Sequence, residues 1–215
     1  ILNGAKVPRD KLIDAKDKKV VVIGGGDTGA DCVGVAHRQG AACVEQIELL
    51  SRPPECRAEK DPWPKYPLLL KTSTSHEEGG KRHWEILTKS FIGKKGAVKK
   101  IACVRIEFDK KGAGSCSVMK EIPGSEFKID ADLVILAIGF IHPEHGRLLK
   151  ELKLEFDPRG NVKTDPTYMT SVKGVFSAGD MRRGQSLIVH AIAEGRRTAH
   201  FIDKYLMKKT NLPLM

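Results

Sequence analysis

The sequence contains no run of 18 apolar residues, which excludes a transmembrane helix on hydropathy. Ile1-Leu2-Asn3-Gly4-Ala5-Lys6 is not expected to be a signal peptide. It also lacks a starting Met, so the chain is expected to be a piece of a longer protein. None of the five cysteines (Cys32, Cys43, Cys56, Cys103, Cys116) forms a CxxC pair, so no thiolate zinc or iron–sulfur site is expected within it. Scattered thiols in odd number point to a reducing, cytoplasmic compartment, each thiol serving as a small core hydrophobe. There is no zinc finger, no aromatic RNA-binding strand motif, no internal repeat and no low-complexity segment. The net charge of +10 is therefore not taken as a nucleic-acid signature. Solvated lysine faces and a phosphate-bearing cofactor account for it better.

What is present fits a folded chain. At ~150 residues per domain, 215 residues make one large domain or two small ones. Residues 1–18 are polar and basic and are expected to form a linker. Lys19-Val20-Val21-Val22-Ile23 is the continuous apolar run of a buried parallel strand. A glycine turn follows, then a helix over 30–38 closed by Gly40, then a strand over 44–50: a βαβ unit. Prolines 53, 54, 62, 64 and 67 exclude regular structure over 51–80, with Trp63 and Tyr66 expected to pin this loop. Residues 98–130 alternate with period two, Ala102, Val104, Ile106 and Phe108 on one face. Turns are expected at Gly112–Gly114 and Pro123-Gly124, and lysine pairs flank a hairpin. A second apolar strand runs from Leu133 to Ile138 and ends at Gly139-Phe140. Short strands are expected over 160–164 and 174–178. A helix over 186–207 carries an apolar stripe of Ile188, Ile192, Gly195, Ala199, Ile202 and Leu206.

Two constellations carry chemistry. The first is Gly24-Gly25-Gly26-Asp27-Thr28-Gly29, a GxGxxG between a strand and a helix. Gly24 permits the tight turn, Gly26 lets a pyrophosphate approach the backbone, and Gly29 lets the helix pack on the strand. The helix N-terminus offers N–H groups and partial positive charge to the phosphates. Asp27 is wrongly charged for a phosphate contact. It bonds backbone, orients the nicotinamide side or caps the helix. An acidic residue just past the second strand would favour NAD and an arginine NADP. Glu48 falls inside the predicted strand, whereas Ser51 and Arg52 follow it, with Arg57 beyond. The coenzyme is NADPH or NADH, with a lean to NADPH. The second constellation is Gly174-Val175-Phe176-Ser177-Ala178-Gly179-Asp180, a buried strand delivering Asp180 at its carboxyl end, where it can accept from a ribityl hydroxyl. Gln185 and Ser186 open the long helix, whose dipole suits an electron-rich flavin. His142-Pro143-Glu144-His145 matches no zinc spacing, and no metal ligand is expected. His190 is expected to pack.

With these residues in place the chain resembles the glutamate synthase small (beta) subunit and the C-terminal region of NADH-dependent glutamate synthases. The resemblance rests on Val22–Cys32, Arg52-Pro53-Pro54 through Arg57, Asp61-Pro62-Trp63-Pro64, Phe91-Ile92-Gly93 and Glu121–Ser125. It continues through Ala137–Phe140, Gly174–Asp180, Gly184–Leu187 and Ala191–Arg196, so it covers nearly the whole chain in order. It implies an α/β architecture: a Rossmann-like NAD(P)H domain over 19–140 with an antiparallel insertion, then the C-terminal part of a FAD domain over 141–215. It implies a flavin-dependent NAD(P)H oxidoreductase that passes hydride to FAD and electrons on to glutamate formation from glutamine and 2-oxoglutarate. The implied partners are a missing N-terminal flavin and iron–sulfur half and a large subunit, with no nucleic acid and no membrane.

The resemblance maps Gly24–Gly29 to the pyrophosphate and Arg52 and Arg57 to the adenosine end. Gly139-Phe140 falls beside the nicotinamide nucleotide, and Gly179, Asp180, Gln185 and Ser186 at the flavin, whose site is incomplete in this chain. No side chain acts as acid or base, since the cofactors carry the chemistry. Related electron-transfer modules, as in dihydropyrimidine dehydrogenases and ferredoxin:NADP-type oxidoreductases, and a nucleotide-binding module without turnover remain alternatives. The flavin-side helix and strand 175–178 are expected to expose apolar faces.

Overall fold

The computed structural model of the chain describes residues 7–8, 12–57, 59, 62–64, 69–109 and 118–214. They divide into two units, Ile1–Ile138 and Gly139–Met215.

The first unit opens with β1 (Lys19–Ile23), α1 (Asp27–Arg38) and β2 (Cys43–Ile47). After a long loop come a one-turn helix, α2 (Thr74–Glu77), and a three-residue strand, β3 (Lys81–His83). Then follow β4 (Ile86–Lys94), β5 (Ala97–Asp109), β6 (Val118–Glu121), β7 (Phe127–Asp130) and β8 (Leu133–Leu136). One sheet is parallel, in the order β3-β2-β1-β8; the other is antiparallel, with β4 and β7 pairing β5 and β6 continuing from it. This is a Rossmann-like α/β fold with an antiparallel insertion.

The run in β1 does not alternate because both of its faces are covered. Val20 and Val22 pack against Val33 and Ala36 of α1, while Val21 packs with Ile47, Ile86, Ile101 and Cys103. The insertion therefore covers a sheet face. β8 is an edge strand, so its apolar residues are half-buried or exposed. The β4–β5 hairpin turns at Lys95 and Gly96, both at positive φ (53° and 77°), the conformation that matches strand twist.

Several expectations need correction. α1 starts at Asp27 rather than at residue 30, and β2 closes at Ile47 rather than at residue 50. α2 arises within 51–80, where regular structure was not expected, β3 follows in a stretch given no element, and β4 begins well before residue 98. In β5, Ile101 and Cys103 are buried while Ala102 is half-buried, so the expected phase holds only from Val104 onward. The Gly112–Gly114 turn, Cys116 and Tyr66 lie outside the described residues. Trp63 is 82% exposed and pins nothing. Cys43 and Cys56 are exposed, Cys32 is half-buried, and Cys103 alone among the described cysteines is buried. The lead-in is not loose at its end. Ala15 is buried, its N–H donates to Gln39 Oε1, and the Asp17 N–H donates to the Gly40 carbonyl.

The second unit holds α3 (Arg147–Glu151), the one-turn α4 (Asp180–Arg183) and α5 (Ile188–Met207). Its core is Leu149, Leu154 and Val162, with Phe156, Val172 and Val175 against it. The strands expected over 160–164 and 174–178 are only isolated bridges, Phe156 to Val162, Thr164 to Thr170 and Met169 to Phe176. The α5 stripe faces solvent, as expected of the flavin-side helix: Ile188 is 79% exposed, Ile192 57%, and Gly195, Ala199 and Leu206 are exposed too, while Ile202 is half-buried. The inward face carries Glu194 and Thr198, with Phe201 against Tyr168 and Tyr205 against Phe176. Glu194 can be buried because it accepts from the Gly179 N–H at 3.0 Å, Arg182 Nη1 at 2.9 Å and Arg183 Nη1 at 3.2 Å.

Candidate functional site

The three motif glycines do different things. Gly24 sits at φ 124°, and a Cβ there would lie 2.1 Å from the carbonyl oxygen of Ala137, just beyond β8. A Cβ on Gly29 would lie 2.2 Å from the Gly24 carbonyl oxygen. Both positions are crowded by protein. A Cβ on Gly26 would meet nothing within 4 Å. Gly26 is also the N-cap of α1, with no side-chain cap, so the first-turn N–H groups face open space. Packing thus explains Gly24 and Gly29, whereas Gly26 leaves room beside the helix N-terminus. Asp27 is the first helical residue and not the cap, which corrects the capping alternative.

A cleft of ≈ 330 Å³ adjoins this turn. Gly25, Gly26, Asp27, Glu48 and Ser51 line it, together with Lys71, His76, Arg82 and Trp84. With β2 ending at Ile47, Glu48 stands just past the strand and not inside it. Glu48 Oε2 accepts the Gly25 N–H and Oε1 accepts the Leu50 N–H at 3.0 Å. The carboxylate therefore braces the glycine turn. Ser51 donates its hydroxyl to Glu85 Oε1 at 2.6 Å, and Arg52 pairs with Glu55 at 2.9 Å. Thr28, Arg52 and Arg57 do not line this cleft.

Beneath the turn runs a polar relay. Gln46 is buried, and its Nε2 donates to the Gly24 carbonyl at 2.8 Å. Its Oε1 lies 2.9 Å from His76 Nε2, while His76 Nδ1 accepts the Ser73 N–H at 3.2 Å. Nδ1 must therefore be the bare nitrogen and Nε2 the donor. Burial, and then the charge of Arg82, hold the imidazole below its usual pKa, so the neutral form is favoured.

Arg82, Trp84, Lys71 and His76 were not foreseen. Parallel pairing of β3 with β2 sets Arg82 beside Gln46 and delivers Trp84 just past the strand. The signal available was the polar-aromatic alternation Arg82-His83-Trp84, too short to single out. The Arg82 guanidinium lies 5.1 Å from the centre of the Trp84 ring and that of Arg52 lies 5.6 Å from it.

In the second unit, Phe140, Asp180 and Gln185 come together in a cleft of ≈ 520 Å³ with His142, Pro143 and Glu144. The Gln185 side-chain amide donates to the Phe140 carbonyl. Gly139 and Gly179 adopt positive φ, 86° and 65°. Asp180 is exposed and opens α4; it does not end a buried strand, as expected. Ser186 is exposed and outside the cleft lining. Phe140 thus joins the residues mapped to the flavin. His145 stacks between His142 and Phe156, with Nε2 2.7 Å from the Gly160 carbonyl, a packing arrangement. Among the described residues no three His, Cys, Asp or Glu side chains group as metal ligands.

Comparison with known proteins bears on these two clefts. The profile of the pyridine nucleotide-disulphide oxidoreductases matches residues 2–195. The small chain of an NADPH glutamate synthase from Mycobacterium tuberculosis is 51% identical over 202 residues, spanning 94% of this chain and 40% of that protein. An NADH glutamate synthase from Schizosaccharomyces pombe is 48% identical over 210 residues, spanning 94% of this chain and 10% of that one. The chain therefore covers less than half the length of these relatives. Among solved structures, FprA from Mycobacterium tuberculosis in complex with NADPH has a TM-score of 0.63 at 16% identity. That match covers 91% of this chain and 54% of FprA, a likeness of fold.

Proposed function

The chain belongs to the pyridine nucleotide-disulphide oxidoreductase family, and from that premise we propose that its first unit is the NAD(P)H-binding domain of a glutamate synthase-type flavin oxidoreductase. The observation that carries this reading is the contrast at the glycine turn. Gly24 and Gly29 are glycines for protein packing, but Gly26 leaves open space at an uncapped helix N-terminus. A pyrophosphate fits that space, and the α1 N–H groups and dipole favour its charge.

Gly25–Asp27 of the turn approach the phosphates, Gln46 and Glu48 hold the turn's shape, and Ser51 and Arg52 stand toward the adenosine end. In the second unit, Gly179, Asp180 and Gln185 form part of a flavin site, which the rest of the longer protein completes. FAD, when bound, supplies the hydride acceptor and hands electrons onward. The residues of this chain position and enclose; none is needed as acid or base. The two relatives named are a small chain and a much longer chain. On that support a partner region, including a glutamate-forming large subunit, belongs to the proposal, as does a cytoplasmic location. No described helix is long and apolar enough to cross a membrane.

Calorimetric titration with NADPH and NADH tests the reading. At least one is expected to bind, and Gly26→Val is expected to weaken it while leaving the melting temperature nearly unchanged. Failure of both coenzymes to bind a folded chain would sink it.

A further inference from the structure

Arg82 is a cation of this cleft that the motif does not announce, and its surroundings are unusual. It is half-buried. Its Nη1 donates to the Lys71 carbonyl at 3.0 Å, and its Nε is buried without a hydrogen-bond partner. No carboxylate among the described residues pairs with it. The three nearby carboxylates are engaged elsewhere: Glu48 by two backbone N–H groups, Glu55 by Arg52, Glu85 by the Ser51 hydroxyl. Instead a like charge, Arg52, shares the Trp84 ring with it. Burial and that neighbour both hold the Arg82 pKa down. Two guanidiniums on one indole, one of them half-buried without an anion, form an arrangement that an incoming dianion would stabilise.

We propose that Arg82, braced on Trp84 and supported by Arg52, receives a phosphomonoester on the adenosine ribose of the coenzyme, so that the cleft selects NADPH over NADH. This rests on the nucleotide-binding reading above. Glu48 stands where a carboxylate would accept a ribose hydroxyl. Each of its oxygens, however, already holds a backbone N–H of the turn, which turns it toward bracing. Arg52, the residue the sequence points to, is tied to Glu55 and more exposed, so its share is the smaller.

The test uses two adenosine fragments that differ in the phosphate alone. Titrate the chain with 2′,5′-ADP and with 5′-AMP, then repeat with Arg82→Met, Arg82→Lys and Arg52→Ala. The unaltered chain is expected to bind 2′,5′-ADP about tenfold or more tightly than 5′-AMP. Arg82→Met should abolish that ratio and leave 5′-AMP affinity within about twofold. Arg82→Lys, which keeps charge but not the planar fork, should retain part of the ratio, and Arg52→Ala most of it. Equal binding of the two fragments by the unaltered chain overturns the assignment but leaves the nucleotide reading standing. An equal loss of both fragments in Arg82→Met, with Arg82→Lys no better, makes Arg82 merely structural and also overturns it. Absence of any binding, NADH included, overturns both readings together.

Discussion

Helices α1 and α5 carry the same kind of sequence signal and use it in opposite ways. In α1 the small apolar residues Ala30, Val33 and Ala36 turn inward against β1 and β2. In α5 the stripe from Ile188 to Leu206 turns outward, and a carboxylate, a hydroxyl and two aromatic rings hold the helix to its unit. Apolar periodicity states that a face is destined for burial; it does not state which body supplies the cover. The first unit contains the cover for its own faces. The second shows one that stands exposed among the described residues.

Substitutions can break or sharpen that contrast. The largest effect is expected at Gly24. Gly24→Ala adds a Cβ against the Ala137 carbonyl in a backbone conformation that L residues rarely adopt. It should cost about 4 kcal/mol or more, with hydrogen exchange accelerating in β1 and β8. Next comes Glu194→Ala, which strands two arginines and frees the Gly179 N–H. A loss of about 3 kcal/mol is expected in urea melts, with exchange rising across α4. If this variant melts like the parent, the polar underside of α5 does not hold it.

A smaller effect is expected from pH. The His76 pKa is lowered in the folded chain, so the unfolded chain binds more protons below the ordinary value of 6.5. The contribution of His76 is therefore intact above that value and fades as pH falls below it. His76→Gln should flatten the stability profile between pH 7 and about pH 5.5 relative to the parent. Parallel profiles would detach His76 from the turn. The smallest change in stability is expected on the outward stripe. Ile192→Glu should shift it by less than about 0.5 kcal/mol, while dye binding to exposed apolar surface drops. A marked destabilisation would mean that the stripe is covered after all.

The pattern of what was legible has physical causes. β1, α1 and the glycine turn were readable because strand, turn and helix lie within twenty consecutive residues and each needs particular residue types. Glu48 was misplaced because a strand end is decided by pairing, and β2 stops where its partner register stops. Arg82, Trp84 and His76 were not legible as site residues. β3 and α2 bring them to the turn across a proline-rich loop, and nothing local in three or four residues announces such pairing. The inward face of α5 was not legible either. It takes a buried Glu194, and a buried carboxylate is recognisable only once its three donors have been assembled.

The close approach of Gly24 to Ala137 also constrains how the chain comes into being. The turn is made first, and the carbonyl it rests beside emerges only after the whole antiparallel insertion has followed it from the ribosome. β1 likewise waits for β8 as its second neighbour. The local β1-α1-β2 unit can form first, and the β4–β5 hairpin can zip by itself. The pairing that closes the glycine turn is the most distant in sequence within this sheet, so its loop closure costs the most chain entropy. A growing chain therefore carries an unfinished glycine turn until the stretch through residue 137 is free to dock.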